Sequence, residues 1–241
     1  MKFWMVKKIS HTAVEKLLKS FGKKYSESLG RDLRGGRERE IFRWFLASLL
    51  FGAPISESSA VKTYKCFEAR GATKPDKIIA IGWQGLVELL DEGSYTRYDF
   101  KTADKLLEVM GNLIKGYGGS LTNLHERALN CEDLERRIKS LGKGIGDVTV
   151  SIFLRELREI WNKANPKPTE LEILAARNLG ITRSGDPAQA LVDLKKFWIE
   201  NRVKNHDFVD FEVALLRLGK DFCRKKRCVS CLMRDHCATE A

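Results

Sequence analysis

Residues 141–149 read Leu-Gly-Lys-Gly-Ile-Gly-Asp-Val-Thr, which places three glycines within five positions. A helix interior disfavours this spacing, because each glycine costs about 1 kcal/mol relative to alanine. Apolar residues recur at helical intervals on both sides, from Leu134 to Leu141 and from Val148 to Trp161. The pattern therefore predicts two helices joined by a tight glycine turn.

A glycine turn that leads into a helix can bind an anion. The first N–H groups of a helix have no partner within the helix, and a phosphate oxygen can accept them. On this interpretation the ligand-binding residues are Gly142, Lys143, Gly144, Ile145, Gly146 and Thr149. The alternative is an ordinary helix–helix turn without a ligand, since a glycine triplet alone is a weak motif.

The charge of the chain points to a polyanionic partner. Its 43 basic and 32 acidic residues give a formal net charge of +11. The excess is concentrated at the two ends: residues 1–37 hold ten Lys or Arg against three acids, and residues 217–237 hold seven against two. Nucleic acid is the simplest such partner. The alternative is a basic protein whose charge serves only solubility.

The apolar content gives no membrane segment. The longest apolar run, residues 44–53, is too short to cross a bilayer, and no signal-peptide pattern opens the chain. We therefore expect a cytoplasmic protein. No alternating strand pattern of useful length and no internal repeat is present, so the sequence predicts an all-α fold.

Four of the six cysteines crowd into fifteen positions near the C-terminus. Cys223, Cys228, Cys231 and Cys237 form a C-x4-C-x2-C-x5-C array. Four thiols at this spacing can close around one tetrahedral zinc ion or one [4Fe–4S] cluster, and the spacing does not choose between them. Four unrelated reduced thiols are the weaker alternative, because low-pKa thiols in basic surroundings would be reactive.

The hairpin and the cysteine array, in this order, resemble the endonuclease III branch of the helix-hairpin-helix DNA glycosylases. Residues 141–150 resemble the family's L-P-G-V-G-x-x-T-A hairpin. Residues 98–103 and 116–119 look like the start and the glycine end of the preceding helix. Residues 211–223 are similar to the helix that delivers the first cluster cysteine.

The resemblance implies two helical lobes. A six-helix barrel would span residues 39–161 and contain the helix-hairpin-helix at 133–160. A cluster lobe would join the N-terminal helix of residues 1–38 to residues 162–241, and the cysteine loop at 223–237 would carry a [4Fe–4S] cluster. Zinc stays the alternative, because the family has six residues between its first two cysteines and this chain has four.

The implied partner is double-stranded DNA, with a target base turned out of the stack into the protein. We expect a monomer that contacts the phosphate backbone through the hairpin and through the basic residues of the cysteine loop, namely Arg224, Lys225, Lys226 and Arg227. The implied activity is base excision: cleavage of the N-glycosidic bond of a damaged or unusual base.

Two positions depart from the family's catalytic pattern. Val148 stands where strand-cutting members carry a lysine that forms a Schiff base with the sugar, so lyase activity by that route is not expected. Thr169 stands where the family has an aspartate. Glu170 is the nearest candidate carboxylate. Alternatively, Thr169 and Glu172 only form a capping box at the start of a helix.

The departures leave two functions open. The first is a glycosylase that works without the lysine-dependent lyase step. The second is a non-catalytic DNA-binding or lesion-sensing protein on the same scaffold, including one whose affinity responds to oxidation of the cluster.

Overall fold

The computed structural model describes residues 9–238, and within this range the chain is helical and contains no strand. The all-α prediction is confirmed. No helix among these residues is both long enough and apolar enough to cross a membrane. The helices in chain order are α1 (His11–Phe21), α2 (Tyr25–Ser28), α3 (Glu38–Phe51), α4 (Glu57–Ala69), α5 (Pro75–Glu92), α6 (Asp99–Tyr117), α7 (Leu121–Arg127), α8 (Cys131–Lys139), α9 (Asp147–Arg155), α10 (Glu170–Asn178), α11 (Pro187–Glu200) and α12 (Phe208–Leu218).

The chain divides into two compact units. The hairpin unit is Leu29–Pro166, and the cysteine unit combines residues 9–28 with residues 167–238. The sequence placed residues 29–38 with the cysteine loop. The structure places them in the hairpin unit, where the Arg31 guanidinium pairs with Glu40 at 3.3 Å and with Glu68 at 3.4 Å.

Helix α3 is the centre of the hairpin unit. Nine of its fourteen residues are buried, which fits a helix that is apolar on nearly all sides. The indole N–H of Trp44 donates to the backbone oxygen of Phe153 in α9 at 3.1 Å, and the Tyr95 hydroxyl donates to the backbone oxygen of Leu50 at 2.9 Å. These bonds satisfy polar groups inside an apolar core.

The second helix of the hairpin is shorter than the sequence predicts. It was expected to continue to Trp161 but ends at Arg155. In a continuous helix, residues eight apart are separated by about 12 Å along the axis. The rings of Phe153 and Trp161 are 5.6 Å apart, and Trp161 also stacks on His125 at 4.6 Å. The chain therefore turns back after Arg155, and this brings the Trp161 ring against the rings of Phe153 and His125.

Helix α5 is interrupted by a kink. Its backbone leaves helical geometry at Gly82, where φ is 72° and ψ is 173°. The positive φ is readily available to glycine and costly for other residues.

The cysteine unit packs around α12, which buries ten of its eleven residues. Phe211 lies at its centre, with the ring of Trp198 at 5.5 Å and the ring of Phe197 at 5.7 Å. A π-helical turn, Gly219–Cys223, continues α12 and delivers the first cysteine of the array. Gly219 lies against α10 so closely that a Cβ at this position would be 2.0 Å from the backbone oxygen of Leu171.

We predict that Gly219→Ala destabilises the cysteine unit by about 2–3 kcal/mol, because the added methyl meets backbone that cannot move aside. Gly111→Ala in α6 is the matched control. A Cβ there meets no atom within 4 Å, and helix propensity predicts a gain of up to about 1 kcal/mol. Thermal unfolding followed by circular dichroism measures both variants. Equal melting temperatures for the two would contradict the close approach.

Candidate functional site

The hairpin has the backbone that its glycines predict. Asn130 caps α8 by accepting the Asp133 N–H at 2.9 Å, and α9 begins at Asp147. Gly144 has a φ of +82°, which strains any residue with a side chain. Gly142 is needed for space, because a Cβ there would lie 2.7 Å from Val109.

One face of α6 supports the turn. The Glu108 carboxylate accepts the backbone N–H of Lys143 at 3.0 Å, and the Asn112 side-chain amide donates to the backbone oxygen of Leu141 at 2.9 Å. Val109 packs under Gly142. Positions 108, 109 and 112 lie on one side of a helix, so a single helical face fixes the hairpin from below.

A run of backbone amides stays available above that support. Among residues 9–238, the N–H groups of Gly144, Gly146, Asp147 and Val148 have no hydrogen-bond acceptor. All four residues are exposed. A Cβ at Gly146 would meet nothing within 4 Å, so the space beside it is open. The start of α9 therefore presents donors to solvent where the helix dipole favours an anion.

The predicted hairpin residues fall into two groups. Lys143, Gly144 and Gly146 are exposed. Ile145 is 6% and Thr149 is 2% exposed, and Gly142 is also buried.

Thr149 is a predicted DNA-binding residue whose side chain is buried. Its hydroxyl faces Gly52, at which a Cβ would lie 2.0 Å from Thr149 Oγ1. The Thr149 side chain therefore packs α9 against the C-terminal end of α3. At the start of α9, Thr149 contributes only its backbone.

Two carboxylates partly neutralise the positive charge of the hairpin. The Glu108 carboxylate accepts the Lys143 N–H, and Asp147 in the first turn of α9 pairs with Lys139 of α8. Sequence reasoning missed Glu108, because it lies 35 positions before the amide that it binds. No local motif marks such a contact.

Asp133 ties α8 to its surroundings. Its carboxylate accepts the backbone N–H of Leu129 at 2.9 Å and the Arg137 guanidinium at 2.8 Å, and it also pairs with Arg136. Arg137 in turn donates to the Tyr117 hydroxyl at 3.4 Å. These bonds, led by the one from Arg137, hold the pKa of Asp133 far below its usual range. The side chain is 5% exposed, so water does not replace these partners.

Lys105 lies on α6 one turn before Glu108, and its side chain also contacts the hairpin. A Cβ at Gly144 would be 3.5 Å from Lys105 Cδ. Its amine donates to the backbone oxygen of Leu49 at 3.1 Å, and burial lowers its pKa to about 8. Nothing in the sequence singles out this lysine, because it stands among apolar positions of an ordinary amphipathic helix.

The cysteine array is built by consecutive turns. The Lys226 N–H donates to the Cys223 backbone oxygen at 3.1 Å, and the Cys231 N–H donates to the Cys228 backbone oxygen at 3.1 Å. Lys226 has a φ of 53°, the left-handed turn that closes the short loop. Met233 is 1% exposed, and Cys223 and Cys231 pack against the same core.

The four thiols lie near enough to affect one another. Burial raises the pKa of the Cys223 thiol, a hydrogen bond with Asn178 opposes this rise, and the other three cysteines of the array add to it. The pKa of the Cys231 thiol is raised in the same way, chiefly by burial. Within residues 9–238, no three His, Cys, Asp or Glu side chains converge tightly enough to hold a single metal ion.

The predicted basic residues of the loop are all on the surface. Arg224, Lys225, Lys226 and Arg227 are exposed between Cys223 and Cys228. Lys225 lies 3.6 Å from Asp221, and half-exposed pairs of this kind contribute little free energy. The loop therefore presents a concentrated positive charge.

The predicted capping box at α10 is confirmed. Both the backbone N–H and the hydroxyl of Thr169 donate to the Glu172 carboxylate at 2.7 Å. Glu172 is fully buried, whereas Glu170 is exposed and has no partner among residues 9–238. Capping therefore uses Glu172 and leaves the Glu170 carboxylate available.

Val148 is 58% exposed at the start of α9.

Compared with known proteins, the chain matches no protein-family model, and no curated protein shows significant similarity to it.

We predict that Asp133→Asn lowers the melting temperature above pH 5 and flattens its fall at lower pH. A carboxyl whose folded pKa is depressed adds stability above its unfolded pKa, near 4, and loses it as the pH falls toward the folded value. Thermal unfolding between pH 2 and pH 7 measures the effect. Glu132→Gln, an exposed acid in the same turn, is the control and should follow the wild-type curve. Parallel curves for Asp133→Asn and wild type would contradict the assignment.

Proposed function

We propose that the protein is a DNA glycosylase of base excision repair, which binds duplex DNA, turns out a damaged or unusual base and cleaves its N-glycosidic bond. The observation that carries the proposal is the glycine hairpin with its exposed, unpaired amides beside Lys143. Backbone amides at a helix start bind phosphate without regard to base sequence, which suits a protein that scans DNA.

The cysteine loop supports the same partner. Four exposed basic residues in succession form a second surface for phosphate, and the sequence as a whole carries a net charge of +11. No disulfide links the six cysteines, which fits a reducing compartment such as the cytoplasm. We propose that the protein acts there as a monomer on double-stranded DNA.

We also propose that Cys223, Cys228, Cys231 and Cys237 hold a [4Fe–4S] cluster. The four thiols fit such a group, because they come from one short segment, influence one another's pKa and lie beside the core. A cubane cluster takes one cysteine at each iron, so its ligands need not meet at a single point. The cluster would brace the loop that carries Arg224–Arg227. Iron and sulfide in anaerobically purified protein would support this assignment, and one zinc per chain would replace it with the alternative site.

Glu170 is the proposed carboxylate for bond cleavage. It stands at the first position of α10, exposed and free of the capping box. A carboxylate near the reacting sugar stabilises the positive charge that develops as the glycosidic bond breaks, or activates water. Val148 offers no amine, so base release is expected without a lyase step from that position.

A non-catalytic DNA-binding protein is the second candidate. Val148 and Thr169 at the family's two catalytic positions favour it, because binding alone needs neither a lysine nor an aspartate there. It predicts the same affinity for DNA and no release of base.

We predict that two hairpin substitutions change DNA affinity in opposite directions. Lys143→Ala should weaken binding to every sequence and reduce the salt dependence by about one phosphate contact. Glu108→Gln, in the α6 face that supports the hairpin, keeps a side-chain oxygen that can accept the Lys143 N–H. It should tighten binding about two- to fivefold, because it removes the negative charge beside that amide. Fluorescence anisotropy with several duplexes at two salt concentrations measures both.

Glu88→Gln is the matched control for Glu108→Gln. It makes the same charge change on α5, where the carboxylate accepts the Gln84 amide at 3.2 Å. If Glu88→Gln and Glu108→Gln tightened binding equally, net charge would explain the effect and the hairpin would not be the DNA site.

We predict release of free base from at least one duplex in a panel carrying uracil, 8-oxoguanine, hypoxanthine, alkylpurines or oxidised pyrimidines. Glu170→Gln should lower the rate at least a hundredfold while leaving affinity nearly unchanged, because the amide cannot stabilise positive charge as a carboxylate does. Tight binding with no release from any duplex would favour the second candidate. Full activity of Glu170→Gln would remove Glu170 from the mechanism.

A further inference from the structure

The Lys105 amine is unusual among the lysines of the hairpin unit, because its environment is poor in charge and partly closed to water. Its one hydrogen-bond acceptor among residues 9–238 is the backbone oxygen of Leu49, and within that range it makes no ion pair. Burial lowers the pKa of this amine to about 8, so a sizeable fraction is neutral near pH 7.5.

A lysine amine is nucleophilic only when it is neutral. Desolvation in an apolar pocket produces that state in lysines that form imines with carbonyl compounds. The bond to Leu49 fixes the amine at the C-terminal end of α3 and still leaves its nitrogen lone pair free when the amine is neutral.

The position of Lys105 links this chemistry to the hairpin. Its Cδ lies 3.5 Å from the place that a Cβ would take at Gly144. Lys105 is also within one helical turn of Glu108, whose carboxylate accepts the Lys143 N–H. A phosphate held by the exposed amides of Gly144 and Gly146 would bring the sugar chain of the DNA to the same part of the hairpin unit. The reactive carbonyl available in DNA is the C1′ aldehyde of an abasic sugar, which is the product of base release.

We propose that Lys105 captures the open-chain aldehyde of abasic sites in DNA as an imine. The Nζ atom bonds to C1′, the aldehyde oxygen leaves as water with both amine protons, and no oxidant or second reactant is needed. The imine is hydrolysed by the reverse step. The proposal rests on the proposed function only for DNA binding, since the aldehyde can be supplied ready-made.

A structural role for Lys105 makes a different prediction. A cation at the last carbonyls of α3 stabilises that helix end, and Arg would serve there nearly as well. Arg cannot form the imine, because its guanidinium stays protonated. Lys105→Arg therefore separates the two roles.

The test uses a duplex with one abasic site, made by enzymatic removal of uracil, and sodium borohydride, which reduces an imine to a stable secondary amine. Wild-type protein should give a covalent protein–DNA adduct, and Lys105→Arg should lower its yield at least tenfold with unchanged affinity for the same duplex. Lys101→Arg, an exposed lysine one turn earlier on α6, is the matched control and should give the wild-type yield.

Peptide mapping of the wild-type adduct keeps the test independent of how Lys105→Arg folds. The adduct should map to Lys105. Mapping to another lysine or to the N-terminal amine, a wild-type yield from Lys105→Arg, or no adduct despite tight binding would overturn the proposal. An adduct at Lys105 without release of any damaged base would support this inference and count against the proposed glycosylase, so the two fail separately.

Discussion

The hairpin unit depends on the contact between a glycine corner and one face of α6. The Glu108 carboxylate binds the Lys143 amide, Val109 fills the space under Gly142, and Asn112 binds the Leu141 carbonyl. The corner is thereby held rigid, and the N–H groups of Gly144, Gly146, Asp147 and Val148 find no acceptor in the part of the chain that the structure describes. A rigid donor array binds phosphate at a lower entropic cost than a mobile loop.

The contact with α6 also lowers the net positive charge around the glycine corner. Glu108 and Asp147 set two carboxylates beside the donors, so part of the attraction for a polyanion is cancelled within the protein. The cysteine loop has the opposite character, with four basic residues in succession and two acids nearby, Asp221 and Asp235. The proposed function assigns phosphate contacts to both surfaces. The electrostatic attraction for phosphate is weaker at the hairpin than at the cysteine loop.

Local signals in the sequence predict much of the fold and part of the site. Helix α10 begins where Thr169 and Glu172 predict a capping box, because a cap acts within one turn. Glu108 and Lys105 could not be found in this way. Their roles come from tertiary packing of α6 on the hairpin and on α3, and similar amphipathic helices carry such residues on a solvated face. The early end of α9 has the same origin, since the ring packing of Trp161 overrides an apolar pattern that would otherwise continue the helix.

The central claim is that the free amides at the start of α9 hold a DNA phosphate, and amide NMR of the labelled protein tests it most directly. On addition of a short undamaged duplex at low ionic strength, the account predicts the largest shifts at the N–H groups of Gly144, Gly146, Asp147 and Val148. Buried amides of α3 should move little. Binding of the duplex with no change at those four amides would contradict the account.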